Sequence, residues 1–169
     1  TNKSYNNGIT TIQDKVFRDG LGREVVLKGW NVSGTTKLAE GLKPFKNAED
    51  ARASLSVMRA SNGANSVRFL ISWEGINPQV DQIDQAYLQA ITAQVKEATA
   101  LGMYVLIDFH TDLFSRYVFN QGSSAAGNGA PEWVVKDQGF PQEFCGVCLT
   151  WTQNLVTNEA VRKRSEERR

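Results

Sequence analysis

The fold is decided by the stretch Ser66–Ile71, whose sequence SVRFLI is almost entirely apolar and holds one charged residue. A short apolar run of this kind predicts a buried strand. A similar run, MYVLI, stands at residues 103–107, and VVLKGW at residues 25–30 precedes both. Helical patterns separate the three runs, and this alternation favours a parallel sheet that is buried on both faces and joined by right-handed crossovers. The sequence therefore predicts an α/β fold.

Each of the two helical patterns has its own start and stop signals. The first begins after Asn47, a good N-cap, and is stopped by Asn62-Gly63. The second follows the break at Asn77-Pro78 and ends at Gly102. Its apolar face consists of Ile83, Tyr87, Ile91, Val95 and Ala98. The acidic residues in or beside it are interpreted as solvated charges, namely Asp81, Asp84 and Glu97.

The two ends of the chain are less regular than its middle. Residues 1–15 are predicted to be a flexible N-terminal segment and residues 16–169 a single domain. Two short apolar runs around the Asp19-Gly20 turn predict a β-hairpin over residues 16–27. Residues 111–151 lack periodicity, which is typical of a functional or mobile loop. A last helix is predicted from near Thr157 into a basic tail.

Composition and charge limit the class of protein. The chain has 169 residues, of which 41% are hydrophobic and 22% charged, and its formal net charge is +1. This balance is typical of a globular protein. No stretch reaches the roughly 18 apolar residues of a membrane helix, so we expect no transmembrane segment. The basic residues beyond Val161 are interpreted as a solvated helix end, and we expect no nucleic-acid partner.

Polar and aromatic side chains follow each predicted strand. They are Asn31 and Ser33 after the first strand, Trp73 and Glu74 after the second, and Asp108, His110, Asp112 and Arg116 after the third. Ligands of parallel α/β folds bind at the carboxyl ends of the strands. Rings that can stack on sugars and carboxylates that accept hydroxyl hydrogens favour a carbohydrate ligand. His110 is the only histidine, which excludes a multi-histidine metal site, and we expect neither metal nor cofactor.

Two features leave alternatives open. Arg68 lies within the apolar strand, where a buried guanidinium is costly without a partner, so it forms either a structural ion pair or an anchor for an acidic active-site residue. The pair Cys145 and Cys148 is interpreted as a local disulfide or two free thiols. A zinc site would need a second pair, and redox catalysis would need a helix start after a first strand. The glycines at positions 20 and 22 precede their strand, which excludes a dinucleotide loop.

Three segments carry a resemblance to a known family. They are residues 27–34 (LKGWNVSG), 65–76 (NSVRFLISWEGI) and 105–116 (VLIDFHTDLFSR). Together they resemble glycoside hydrolase family 5, a family of retaining glycosidases with (β/α)8 barrels. Within it the chain is most similar to the endoglycoceramidase-like branch, because of the His-x-Asp-x-x-Ser run that starts at His110 and the GNGAPEW stretch at residues 127–133. The resemblance covers residues 16–161.

The resemblance implies roles for individual residues. Arg68 matches the arginine of the second barrel strand, which lies beneath the site and supports the nucleophile. His110 matches a histidine that lines the sugar subsite next to the scissile bond. Asp112 matches an aspartate that binds glucose hydroxyls, and Lys37 matches a lysine that does likewise. Trp73 and Glu74 fall where the barrel mouth is expected, so all six are candidate substrate-binding residues.

The sequence departs from the family pattern at the catalytic groups. The family uses two glutamates, one in an Asn-Glu pair that ends the fourth strand and one that ends the seventh. The only Asn-Glu pair here, Asn158-Glu159, opens a predicted helix, so no residue is assigned a catalytic role.

We therefore expect the first three βα units of a barrel, preceded by the N-terminal hairpin, in a chain truncated before either glutamate and inactive alone. The alternative is a non-catalytic carbohydrate- or glycolipid-binding fragment that needs the rest of the barrel as a partner. The family's substrates suggest export, although the sequence leaves the compartment open.

Overall fold

The three predicted strands and the two predicted long helices lie in the order that the sequence predicts. The computed structural model describes residues 8–136, together with residues 145, 146, 148, 157–159, 162 and 163. In chain order the elements are β1 (Ile9–Gln13), β2 (Val16–Asp19), β3 (Gly29–Val32), α1 (Ala48–Asn62), β4 (Ser66–Ile71), α2 (Trp73–Ile76), α3 (Gln85–Ala100), β5 (Tyr104–Phe109) and α4 (Glu132–Val135).

Strands β3, β4 and β5 form a parallel sheet in that order, which confirms the predicted pairing. Asn31 pairs with Arg68, and Leu70 pairs with Asp108. Residues that pair directly share a face, and successive residues of a strand alternate between faces. The sheet therefore carries Asn31, Arg68 and Asp108 on one face and Phe69 on the other.

Local capping fixes the ends of both long helices. The side chain of Asn47 accepts a hydrogen bond from the backbone N–H of Asp50 at 2.9 Å, as predicted for an N-cap. Gly63 adopts the left-handed conformation, with φ 61°, and donates its N–H to the carbonyl of Arg59. Asp84 is exposed, as expected for a solvated charge, and it also caps α3 by accepting from the N–H of Tyr87 at 2.9 Å.

The Asn47 cap should contribute measurably to stability. We expect Asn47→Ala to lower the free energy of unfolding by about 1 kcal/mol, because the N–H of Asp50 loses its acceptor. Urea denaturation followed by circular dichroism measures the change. Asn62→Ala, at the other end of the same helix, is the control and should have a smaller effect. Equal losses from the two variants would contradict the capping role.

The main core lies between the sheet and the helices α1 and α3. Phe69 is fully buried and meets Phe45 edge to face, with 5.7 Å between the ring centroids. The other buried members of this cluster are Val32, Ala51, Leu55, Ala64, Val67, Ala98 and Met103. A neighbouring cluster of Ile71, Tyr87 and Ile91 extends the core towards α2. These contacts hold the three strand ends at a common edge.

The prediction that all three strands are buried on both faces is wrong for the outer two. In β5, Leu106, Ile107 and Phe109 are exposed, with Leu106 at 63%. In β3, Trp30 is 48% exposed. Among the described residues these strands have a neighbour on one side only, whereas β4 lies between them and is the most buried strand. The apolar runs predicted the strands correctly but not their positions in the sheet.

The N-terminal hairpin differs from the predicted one. Its two strands are β1 and β2, which pair antiparallel, so the segment expected to be flexible contains a strand at Ile9–Gln13. The predicted partner of β2 contributes one bridge, between Arg18 and Glu24. Four of the five residues of β1 are β-branched, which favours a strand. Residues 1–7 lie outside the described residues.

The long irregular region contains a second hydrophobic cluster instead of an open loop. Its buried residues include Leu113, Phe114, Val118, Phe119 and Val134. Cys145 and Cys148 form a disulfide, one of the two alternatives predicted. The amide of Asn120 binds this turn by accepting from the N–H of Cys145 and donating to the carbonyl of Gly146. The region between β5 and α4 is thus a packed segment.

Two other predictions concern the tail and membrane insertion. Described residues of the predicted last helix include Glu159 and Lys163, which form an exposed ion pair at 2.8 Å. Glu166 and Glu167, which follow Arg162 and Lys163 at i,i+4 spacing in the sequence, lie outside the described residues. In the part of the chain that the structure describes, no helix is long and apolar enough to cross a membrane.

Candidate sugar-binding site

A chain of alternating charges runs along the carboxyl ends of the strands. Lys37 Nζ lies 2.8 Å from Asp112 Oδ2, and His110 Nε2 lies 3.2 Å from the same oxygen. The other ring nitrogen, His110 Nδ1, lies 3.0 Å from Asp108 Oδ2. Arg68 completes the chain with an ion pair to Asp108 at 2.8 Å. Four of the six predicted site residues are thereby brought together.

The sheet register explains why Arg68 and Asp108 meet. Arg68 pairs with Leu106, and Asp108 is two residues further along β5, so both side chains lie on the same face. Arg68 also donates to Asn31 Oδ1 at 3.4 Å. The side chain of Arg68 is 38% exposed, so it is not the buried guanidinium that the apolar strand predicted. The structure shows an ion pair of Arg68 with Asp108, which is compatible with both alternatives.

Asp112 is ionised at neutral pH. Partial burial raises the pKa of Asp112, but hydrogen bonds from Lys37 and Asn128, together with the charge of His110, outweigh that effect and lower the pKa to about 2. A carboxylate is purely an acceptor. Asp112 is therefore suited to accept hydrogen bonds from hydroxyl groups and unsuited to donate a proton.

Glu74 belongs to a separate cluster that joins two loops. Its Oε2 accepts from Arg116 Nε at 2.8 Å and its Oε1 accepts from Tyr117 Oη at 3.0 Å. The backbone N–H of Glu74 donates to the carbonyl of Gly129 at 2.9 Å. Burial and the neighbouring Glu74 carboxylate raise the pKa of Tyr117, which keeps its hydroxyl protonated as a donor. We call Glu74, Arg116 and Tyr117 the loop clamp.

Trp73 is not placed as a surface for sugar stacking. It is buried in the second hydrophobic cluster and meets Trp133 edge to face, with 6.1 Å between the ring centroids. Trp133 in turn donates from Nε1 to the carbonyl of Asn77 at 3.0 Å. Trp73 is buried because it begins α2, a short helix that Ser72 caps directly after β4. This helix turns the chain towards the second hydrophobic cluster. The expectation that Trp73 faces the ligand is corrected by this placement.

Two residues of the site had no assigned role in the sequence. Asp108 was noted at the end of its strand, but its position between Arg68 and His110 depends on the register of β4 and β5. Asn128 donates from Nδ2 to Asp112 Oδ2 at 2.9 Å. The signal available for Asn128 was its position between two glycines in the GNGAPEW stretch.

The donor set of the site does not favour a metal ion. No group of three or more His, Cys, Asp or Glu side chains in the described residues could hold one. Arg68 and Lys37 already pair with the carboxylates that would serve as ligands. The chemistry of the site is that of hydrogen bonding between charged groups and hydroxyls.

The fold and the site together define a class of protein. Parallel βα units whose polar residues lie at the carboxyl ends of the strands are the arrangement of (β/α)8-barrel enzymes. The model of the cellulase family, glycosyl hydrolase family 5, matches residues 22–157. The chain belongs to glycosyl hydrolase family 5, as the sequence segments indicated.

Individual relatives are similar over most of this chain. Endoglycoceramidase I of Rhodococcus hoagii (strain 103S) is 35% identical over 139 residues, which cover 80% of this chain and 25% of that protein. A glucosylceramidase of Aspergillus fumigatus is 27% identical over 171 residues, covering 88% of this chain and 21% of that protein. The chain thus spans about a quarter of the length of the curated relatives it matches.

A solved structure is also similar to this chain. Endo-glycoceramidase II from Rhodococcus sp., in a complex with ganglioside GM3, matches with a TM-score of 0.62 and 30% sequence identity. The match covers 87% of this chain and 32% of that chain. The similarity therefore extends from sequence to backbone.

Proposed function

We propose that this chain supplies part of the sugar-binding face of a glycoside hydrolase that acts on glycolipids. The observation that carries the proposal is the alternating chain Lys37, Asp112, His110, Asp108 and Arg68 at the strand ends. The names of the relatives, which include endoglycoceramidase and glucosylceramidase, support a glycosylated ceramide as the substrate class. The family resemblance supports a retaining mechanism for the enzyme as a whole.

In this proposal the residues of the site have distinct tasks. Asp112 accepts hydrogen bonds from sugar hydroxyls, and Lys37 and His110 donate to the sugar and to Asp112. Arg68 lies deeper on the sheet, where it holds Asp108 and supports the carboxylate of the nucleophile. Glu74 acts indirectly, because the loop clamp fixes the segment that carries Asp112 and Asn128.

We further propose that the chain forms the first three βα units of a (β/α)8 barrel and contributes no catalytic carboxylate. A retaining glycosidase needs two carboxyl groups about 5 Å apart, one of which is a proton donor. Asp112 is ionised, Asp108 is paired with Arg68, and Glu74 is held in the loop clamp. All three carboxylates are engaged in ion pairs within the chain, so the chain alone is expected not to hydrolyse glycosides.

Sugar titration of the 169-residue chain tests the proposal. We expect lactose and the free oligosaccharide of ganglioside GM3 to bind, with chemical-shift changes in amide NMR spectra as the readout. Asp112→Ala should weaken binding by about 10- to 100-fold, because hydrogen bonds to a charged acceptor contribute about 1.5–3 kcal/mol. Glu97→Ala, near the end of α3 and hence at the opposite end of the strands, is the matched control.

Three outcomes would contradict the proposal. If neither sugar binds, the proposed sugar-binding role is contradicted. The same follows if the wild type and Asp112→Ala bind the sugars equally well. Release of sugar from lactosylceramide by the purified chain, if it disappears in Asp112→Ala, would contradict the claim that the chain contributes no catalytic carboxylate.

A second candidate function is a non-catalytic fragment that binds carbohydrate or glycolipid only when a partner chain completes the barrel. The exposed apolar residues of β5, Leu106, Ile107 and Phe109, favour it. Apolar side chains are thus exposed on both faces of β5, which in the described part of the chain has a neighbouring strand on one side only, and an exposed edge strand of this kind can pair with another chain. The same titration distinguishes the two, since this candidate requires that binding appear only after the rest of the barrel is added.

A further inference from the structure

Asn128 is a buried amide that contacts the proposed sugar-binding carboxylate directly. Only 3% of the residue is exposed. Its Nδ2 lies 2.9 Å from Asp112 Oδ2, and its backbone N–H donates to the carbonyl of Asp112 at 2.9 Å. Because a carboxylate only accepts hydrogen bonds, the group that faces Asp112 is the NH2 end of the amide. Asn128 thus binds both the backbone and the side chain of Asp112.

The hydrogen bonds to Asp112 are distributed unequally between its two oxygens. Lys37 Nζ, His110 Nε2 and Asn128 Nδ2 all approach Oδ2. Within the described part of the chain, no hydrogen bond or ion pair to Oδ1 is found, and the side chain remains 47% exposed. Three donors on one oxygen restrain the position of that oxygen. They leave the other oxygen as the acceptor that a ligand can reach.

The position of Asn128 is sterically enforced by the glycines on both sides of it. A Cβ at Gly127 would clash with the carbonyl oxygen of Asp112. A Cβ at Gly129, whose φ is 120°, would clash with the side chain of Thr111. The next residue, Ala130, donates its N–H to the carbonyl of Phe114 at 2.8 Å, so the two segments are also close at this point. Residues 127–130 therefore lie against residues 111–115 with no room for larger side chains at the glycines.

We propose that Asn128 is a positioning residue of the sugar site, which binds Asp112 Oδ2 and thereby directs Asp112 Oδ1 towards a hydroxyl group of the sugar. This inference rests on the proposed function, in which Asp112 is the sugar acceptor. Lys37 and His110 also bind Oδ2, but the Lys37 side chain is 44% exposed and His110 divides its two ring nitrogens between Asp112 and Asp108. Asn128 is the buried member of the three, so it keeps the carboxylate in place when the other two move.

The first test needs no sugar. The titration of the Asp112 carboxyl carbon is followed by NMR in the wild-type chain and in two variants. We expect Asn128→Ala to raise the pKa of Asp112 above its wild-type value of about 2, because one hydrogen bond to the ionised form is lost. Asn120→Ala is the matched control: Asn120 is also buried in the same loop, but it binds the disulfide turn. It should leave the pKa of Asp112 unchanged.

The second test uses lactose and compares pH profiles. Asn128→Ala should weaken lactose binding by about tenfold, and Asn120→Ala should not. Asn128→Asp keeps the shape of the side chain and can donate to Asp112 only while the new carboxyl is protonated. Its affinity relative to the wild type should fall as the pH rises through the pKa of that carboxyl and recover when the pH is lowered. Lys37 and His110, which also face Asp112, are present in every variant.

The two tests separate the inference from the proposed function. If wild type does not bind lactose, the proposed function fails, and with it the sugar role of Asn128. If wild type binds but Asn128→Ala neither shifts the Asp112 titration nor weakens binding, the positioning role alone is overturned. Asn120→Asp is the control for Asn128→Asp, and the affinity of each is measured on the folded fraction at the same pH values. If the two variants lose affinity equally, the positioning role is also overturned, because a loss shared by both positions is a general structural effect.

Discussion

Replacing Phe69 with alanine should lower the free energy of unfolding by about 4 kcal/mol. Phe69 is fully buried at the centre of β4 and contacts Phe45, and its cluster includes residues of α1 and α3. Removing the ring leaves a cavity between the sheet and both helices, which costs packing as well as transfer free energy. Urea denaturation followed by circular dichroism measures the loss.

Two further variants make the Phe69 prediction specific. Phe69→Leu retains most of the apolar volume and should lose about 1 kcal/mol. Val57→Ala removes an exposed apolar side chain from α1 and should change the stability by no more than about 0.5 kcal/mol. If Val57→Ala destabilised the protein as much as Phe69→Ala, the core would not lie where the structure places it.

Replacing Glu74 with glutamine should lower the free energy of unfolding by about 3 kcal/mol. The side chains of Glu74 and Arg116 are each only 15% exposed, so the variant leaves a largely buried guanidinium without its counter-ion. One guanidinium nitrogen of Arg116, Nη2, is already buried without a hydrogen-bond partner in the described residues. The loop clamp has little capacity to compensate for the loss of the carboxylate.

The Glu74 prediction has both a rescue variant and a control. Changing Glu74 and Arg116 together to leucine removes both charges, and it should recover most of the stability lost in Glu74→Gln. Glu159→Gln breaks an ion pair whose two side chains are each 67% exposed, and it should change the stability far less than Glu74→Gln, because water already solvates both charges. A double variant no more stable than Glu74→Gln would show that the charge of Arg116 is not the cause.

Sequence patterns of a few residues correctly predicted those parts of the fold that depend only on residues adjacent in the sequence. The run SVRFLI gave a strand because apolar residues in short runs need burial, and Asn47 and Gly63 gave the ends of α1 through their own backbone preferences. Asp84 was missed as a cap because an aspartate beside a helix has the same local signature whether it caps or faces water. The capping hydrogen bond forms only when Asp84 adopts the conformation that brings its carboxylate to the N–H of Tyr87.

Features that depend on residues far apart in the sequence were harder to predict. The exposure of Leu106 and the burial of Trp73 are set by which strands and loops lie next to them. The pairing of Asp108 with Arg68 requires the register of β4 against β5. The family resemblance located His110, Asp112, Lys37 and Arg68, which the structure brings together. It offered no role for Asn128, whose contact with Asp112 follows from the shape of a loop.

The contacts of the loop clamp and of Trp133 also bear on the order in which the site can form during synthesis. Trp133 binds the carbonyl of Asn77 across 56 residues, and Tyr117 binds Glu74 across 43. At translation rates of about 5–20 residues per second, roughly 5 to 20 seconds separate the appearance of Lys37 from that of Asn128. The parallel sheet can pair during this interval, but Asp112 is held in place only after the ribosome has released residues beyond 128.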